Sequence, residues 1–207
     1  MPPATDLADK LTREARGLEL YVLRVEALAR DRRVPKADAE RAYAAGFILF
    51  YTSVERTLEQ LFIGLLTAKL TVTQRGVKPV VAAPNAPTAL RLVLGGRNYV
   101  DWLPFDRHTK RRAEALLLDG KPFNDLGKAD RKFLARLSIL RNALAHRSGH
   151  ALKQFEREFI LNTPLPGGLP PSQHKPVGYL RGQHAANQSR FAYQLAEAAT
   201  IMRRLCT

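Results

Sequence analysis

The 207-residue chain is poor in cysteine and in acidic residues, and it has no long apolar run. Its only cysteine, Cys206, lies one residue from the end, which excludes an internal disulfide framework and a thiolate metal cage. A reducing, cytoplasmic setting is therefore expected. No stretch of 18 uncharged apolar residues occurs, so neither a spanning helix nor a membrane partner is expected. The start, MPPATDLADKLTREAR, has no apolar segment behind a basic one, and no secretory signal is expected. G-x-G-x-x-G, the P-loop and G-x-S-x-G are all missing, which removes the usual signatures of dinucleotide, nucleoside triphosphate and serine-hydrolase chemistry. Five histidines are present, His108, His146, His150, His174 and His184, but no H-E-x-x-H, acidic cluster or cysteine ligand accompanies them. The one i,i+4 pair, His146 and His150, has Gly149 inside it. Neither a metal nor another cofactor is expected.

What is abundant is positive charge. Lys and Arg number 33 against 19 Asp and Glu, a formal net charge of +14. Residues 1–103 carry 15 basic and 11 acidic residues (+4), and residues 104–207 carry 18 and 8 (+10). Charge says nothing about fold, but it favours a polyanionic partner such as RNA or DNA over a chain that is merely basic.

Hydrophobic spacing predicts a single all-α domain over 1–207, an up-and-down bundle of four or five main helices. Residues 5–30 present Leu7, Leu11, Leu18, Leu20 and Val25 at roughly helical spacing. Residues 37–70 carry the clearest stripe: Tyr43, Phe47, Phe50, Tyr51, Val54, Leu58, Leu61, Phe62 and Leu65. Gly46 and Gly64 permit close approach of a neighbour, and Glu55 sits at the stripe's edge, either solvated or paired with a cation. Prolines and a glycine in 71–88 break the helix, and a short helix then ends at Gly95 and Gly96. Trp102 and Phe105 fit either bundle packing or base stacking. Residues 107–118 form a helix whose first turn holds Arg107, Lys110, Arg111 and Arg112, at the wrong end of the helix dipole. Asp130 is a candidate cap for a helix over 131–146 with the stripe Phe133, Leu134, Leu137, Leu140 and Leu144, which Ser148 and Gly149 would end. A short continuation follows Gly149. Residues 161–185 read as a long Pro- and Gly-rich loop, and 187–205 as a closing helix faced by Phe191, Leu195, Ala198 and Ile201.

The chemistry-bearing stretch is LSILRNALAHRSGH, residues 137–150. Arg141 and His146 stand five apart, about 140° around an ideal helix, so they meet only if the helix ends or if a second subunit supplies the partner. Asn142 and His146, at i,i+4, share a face. An imidazole can move a proton near neutrality, and a guanidinium can hold a phosphate. Together they suit attack of an RNA 2′-hydroxyl on its adjacent phosphate, a reaction that DNA cannot undergo and that needs no metal. An ordinary helix end, with His146 capping terminal carbonyls, accounts for the same spacing.

The stretch LRNALAHRSG resembles the signature of the HEPN superfamily, in which an Arg and a polar residue precede a His by four to six positions. FYTSVERTLEQLF is similar to the second-helix segment of these proteins, with Tyr51 and Glu55 at its Tyr and acidic positions. DWLPFDRHTKRRAEALLLDGKPFNDL resembles the segment before the motif in the RiboL-PSP-type and MAE-type subgroups. The likeness covers about 40–160. It implies a homodimeric helical bundle and, in active members, a metal-independent endoribonuclease leaving a 2′,3′-cyclic phosphate. It also implies a toxin or phage-defence role with an antitoxin or nucleotidyltransferase-like partner. Arg141 and His146 would be catalytic, Asn142 would orient them, and Glu55 would hold Arg141. On charge alone, Arg147, Arg107, Lys110, Arg111 and Arg112 are candidate RNA contacts. The superfamily also contains inactive members, so a non-catalytic module binding RNA or a protein is the alternative.

Overall fold

The computed structural model describes residues 2–207 except Arg75, Arg147 and residues 163–167. It is an all-α helical bundle of more than five helices. Among the described residues the α-helices are α1 (Thr5–Arg30), α2 (Lys36–Leu66), α3 (Ala86–Leu94), α4 (Arg111–Leu116), α5 (Lys128–Ala145), α6 (Gly149–Phe155), α7 (Pro176–Arg181) and α8 (Arg190–Cys206). The four long ones follow the periodicity. The expected total of four or five main helices falls short because short helices add to the four long ones. One of them, α7, lies in a segment expected to be loop and has only 6 residues, too few for a 3.6-residue pattern to repeat.

Several local expectations are corrected. The segment 161–185 contains α7, whose first residue is Pro176 with its φ already suited to a helix start. A small ribbon follows, pairing β1 (Gln183–Ala185) antiparallel with β2 (Gln188–Ser189). The helix expected over 107–118 begins as a π-helical turn, Asp106–Lys110, before α4. Asp130 lies inside the first turn of α5 and binds Arg204 Nη1 at 2.7 Å instead of capping. Ser148 caps the start of α6, its Oγ accepting from the Ala151 N–H at 3.2 Å, and does not terminate α5. In α1 the buried residues are Ala8, Leu11, Ala15 and Val22, and Leu20 is exposed. Of the expected stripe Leu11 is buried and Leu7, Leu18 and Val25 are half-buried, while Ala8 and Ala15, small residues that let a helix pack closely, complete the face.

The chain divides into two compact units. The first comprises Met1–Thr12, Ser53–Ala135 and Ala198–Thr207. Its centre is an aromatic cluster in which the Phe62 ring lies 5.3 Å from Trp102 and 5.1 Å from Phe123. Trp102 is buried with its indole N–H donating to Glu59 Oε2 at 3.2 Å, and Phe105 is fully buried, so both aromatics serve packing. A Cβ on Gly64 would collide with the Leu70 side chain, which is the close approach expected there. Cys206 is sealed in this core, and burial pushes its thiol up from 9.0 to about 12. The unfolded chain releases that proton first, so this group makes stability fall as pH rises from about 9 to about 12. A thiol reagent at pH 8 will label native protein far more slowly than urea-unfolded protein. Equal labelling rates would mean that Cys206 is accessible.

The second unit comprises Arg13–Thr52 and Arg136–Glu197. Phe47, Phe50, Leu137, Leu140, Phe155, Phe159 and Phe191 are its large buried side chains. Gly46 lets α2 approach α8 and α1: a Cβ there would stand 3.2 Å from the Phe191 ring and 3.3 Å from Val22. Phe155, Phe159 and Tyr179 form a ring cluster with centroids 5.0–5.8 Å apart. At Gly178 an added Cβ would strike the Ser172 carbonyl oxygen, and backbone cannot rotate aside as a side chain can. Gly178→Ala should therefore destabilise by roughly 1–3 kcal/mol, as overpacking does, read as a lower midpoint in urea. An unchanged midpoint would show that the turn before α7 yields freely.

Candidate active site

The site sits where α5 ends. Its buried stripe is Leu134, Leu137, Leu140, Ala143 and Leu144, while Phe133 is only half-buried. Arg141 and Asn142 flank that stripe and are half-buried. The last helical residue is Ala145. His146 still donates its backbone N–H to the Asn142 carbonyl at 2.9 Å, one more helical hydrogen bond, but its side chain is exposed in the turn.

Here the two residues meet. Arg141 Nη1 lies 3.1 Å from His146 Nε2, and the same Nη1 donates to Asn142 Oδ1 at 3.0 Å. A guanidinium can only donate, so Nε2 accepts and the ring proton in this arrangement belongs on Nδ1. The 140° separation on an ideal helix is overcome by the reach of the arginine and by the helix ending at His146.

Tyr51 supports the pair from α2. It is buried, its hydroxyl donates to Ser138 Oγ at 3.3 Å, and its ring lies 5.7 Å from the Arg141 guanidinium carbon. That distance is within cation–π range, so the ring both shelters the cation and limits where it can swing. Sequence reasoning missed Ser138. Its signal was a hydroxyl inside an otherwise apolar stripe, three residues before Arg141, where burial obliges it to find a partner. Glu55 follows Tyr51 by one turn on α2, is half-buried and falls in the first unit. Arg147 lies outside the described residues.

The basic turn belongs to the first unit. Lys110 pairs with Glu114 at 3.2 Å. Arg112 donates to the Asp101 carbonyl at 2.5 Å and lies 5.6 Å from the Trp102 ring centroid. These contacts occupy two of the four cations structurally. Arg107 and Arg111 are exposed. Burial, helped by Arg112, Arg97 and Arg107 and opposed by Asp101, holds His108 below its ordinary range. The other histidines are engaged locally or stand open: His174 Nε2 meets the Leu169 carbonyl at 2.7 Å, His184 stacks on Tyr193 with centroids 3.7 Å apart, and His150 is exposed. Among the described residues no three His, Cys, Asp or Glu side chains cluster as metal ligands, and no helix is long and apolar enough to cross a membrane.

No protein-family model, no curated protein and no solved structure matches the chain.

Proposed function

We propose that the chain is a metal-independent endoribonuclease of HEPN type, cleaving RNA by attack of a 2′-hydroxyl on the adjacent phosphate to leave a 2′,3′-cyclic phosphate. The observation that carries this reading is the 3.1 Å contact of Arg141 Nη1 with His146 Nε2 at the end of α5, with the imidazole exposed. A phosphate is a stronger, charge-assisted acceptor for a guanidinium than a neutral imidazole. Its arrival draws Arg141 away and frees the Nε2 lone pair. That lone pair takes the 2′-hydroxyl proton as the O2′–P bond forms, and Arg141 neutralises the charge growing on the phosphoryl oxygens. The P–O5′ bond then breaks, and O5′ leaves with a proton from an imidazolium. Asn142 Oδ1 and the Tyr51 ring hold the guanidinium near its working position.

One chain brings one imidazole to this contact, whereas simultaneous base and acid catalysis uses two. A homodimer with the motifs facing each other supplies the second. By the same likeness the protein acts as a toxin or phage-defence component, restrained by an antitoxin or nucleotidyltransferase-like partner. Exposed Arg107 and Arg111 offer cationic surface to RNA phosphates.

The test is incubation with end-labelled RNA in EDTA. Cleavage to cyclic-phosphate ends, with DNA of the same sequence left intact, is expected. Products with free 3′-hydroxyls, or cleavage that EDTA stops, would overturn the mechanism. The second reading, a non-catalytic module binding RNA or a protein, draws on the occupancy of Nε2 by Arg141 in this geometry. It predicts salt-dependent RNA binding without turnover.

A further inference from the structure

The second unit holds a cavity of about 650 Å³ beside the motif, within the size range of small-ligand sites. Its walls come from α1 (Glu26), α2 (Lys36 and Glu40), the end of α5 (Ala143 and Leu144), α6 (Leu152) and the segment Ser172–Gly182. Leu144 is three residues after Arg141, on the same face of α5. One wall of the cavity thus stands one turn along α5 from the proposed phosphate-binding Arg141.

Its lining is sorted by chemistry. Leu144, Leu152 and Val177 form an apolar wall suited to the flat face of a base. Lys36 and Lys175 are exposed and form no ion pair among the described residues, so they can face backbone phosphates. Arg181 is committed to Glu26, with Nη2 at 2.6 Å and Nε at 3.1 Å from its two carboxylate oxygens. Glu40 is held only loosely, 3.7 Å from Arg181 Nη1, which leaves its oxygens as acceptors toward the cavity. Gln173 has its Oε1 taken by the Arg190 guanidinium at 2.6 Å, leaving its NH2 as a donor. Arg190 is itself buried with no carboxylate partner among the described residues, its cation resting on the Tyr179 ring at 4.9 Å.

A two-oxygen acceptor and an amide donor on an apolar wall complement one base edge in particular. Guanine offers N1–H and N2–H₂ to a carboxylate and presents O6 to a donor. Uracil and cytosine each lack part of that set, and adenine lacks the carbonyl. We propose that this cavity is a base subsite that takes a guanine from the nucleotide neighbouring the scissile phosphate, with Glu40 reading N1–H and N2–H₂ and Gln173 reading O6. The subsite deepens the ribonuclease reading and rests on it for the position of the phosphate. Glu26, paired to Arg181, stiffens the wall and does not read the base.

The experiment measures binding and cleavage separately. Short RNAs with a 2′-deoxy nucleotide at the cleavage position, and G, A, C or U beside it, are titrated into wild-type, E40Q, L152W and H146A proteins by fluorescence anisotropy. Circular dichroism confirms that each is folded. The wild type should prefer G by about five- to a hundredfold, the range for one good bidentate base contact. E40Q should lose the preference, L152W should lose it by filling the cavity from a partly exposed position, and H146A should keep it. Equal affinity for the four RNAs, or a G preference surviving both E40Q and L152W, overturns the proposal, as does absence of RNA binding. Cleavage of the unmodified RNAs with no base preference would sink the subsite and leave the ribonuclease reading standing. A G preference without any cleavage would keep the subsite and sink the enzyme.

Discussion

His146→Ala will cleave RNA about 100- to 10,000-fold more slowly than wild type, the usual contribution of a positioned general acid–base group. It will do so without a change in melting temperature. The imidazole is exposed and lies 3.1 Å from Arg141 Nη1, so its removal uncovers nothing in the core. Arg141→Ala should fall in a similar range through loss of the charge that stabilises the phosphoryl oxygens, roughly 100- to 1,000-fold for one such donor. Arg141→Lys will recover little, because an ammonium cannot hold a phosphate with a planar fork while also meeting Asn142 Oδ1. The measurement is single-turnover cleavage of a labelled RNA in EDTA. Variants that cut as fast as wild type, at matched folding, would remove both residues from the chemistry.

Phe62→Ala has the largest expected effect on stability, a loss of about 3–5 kcal/mol. The ring is fully buried and meets Trp102 and Phe123 at centroid distances of 5.3 and 5.1 Å. Its removal opens a void that two other large rings cannot close without leaving their own contacts. Such a loss is a large share of the roughly 5–15 kcal/mol that holds a typical domain together. Urea denaturation of the full chain gives the value. A loss under about 1 kcal/mol would mean that the cluster collapses around the missing ring, contrary to close packing.

The helical class and the long elements were legible because their stripes are long. In α2, Tyr43, Phe47, Phe50, Tyr51, Val54, Leu58, Leu61, Phe62 and Leu65 are all buried, as their spacing requires. In α1 the same method found Leu11 but missed Ala8 and Ala15, which share the buried face, and wrongly included Leu20. Alanine carries almost no hydropathy signal, and only the neighbouring helices reveal that a position has no room for more. The short α7, in the segment expected to be loop, escaped because a helix of two turns or fewer shows no period. The basic turn was visible as charge, but not that Lys110 and Arg112 are bound locally to Glu114 and the Asp101 carbonyl.

The sequence alone determined that the chain is helical, basic and equipped with an arginine, an asparagine and a histidine at the end of an amphipathic run. Those properties follow from composition and from periods within one segment. That Arg141 reaches His146, that Tyr51 and Ser138 join beneath the guanidinium, and that Glu40 and Gln173 line one cavity were decided only by the tertiary structure. Tyr51 and Ser138 are 87 positions apart along the chain. Such meetings are set by how helices pack and where they stop, and no local pattern of letters carries that information.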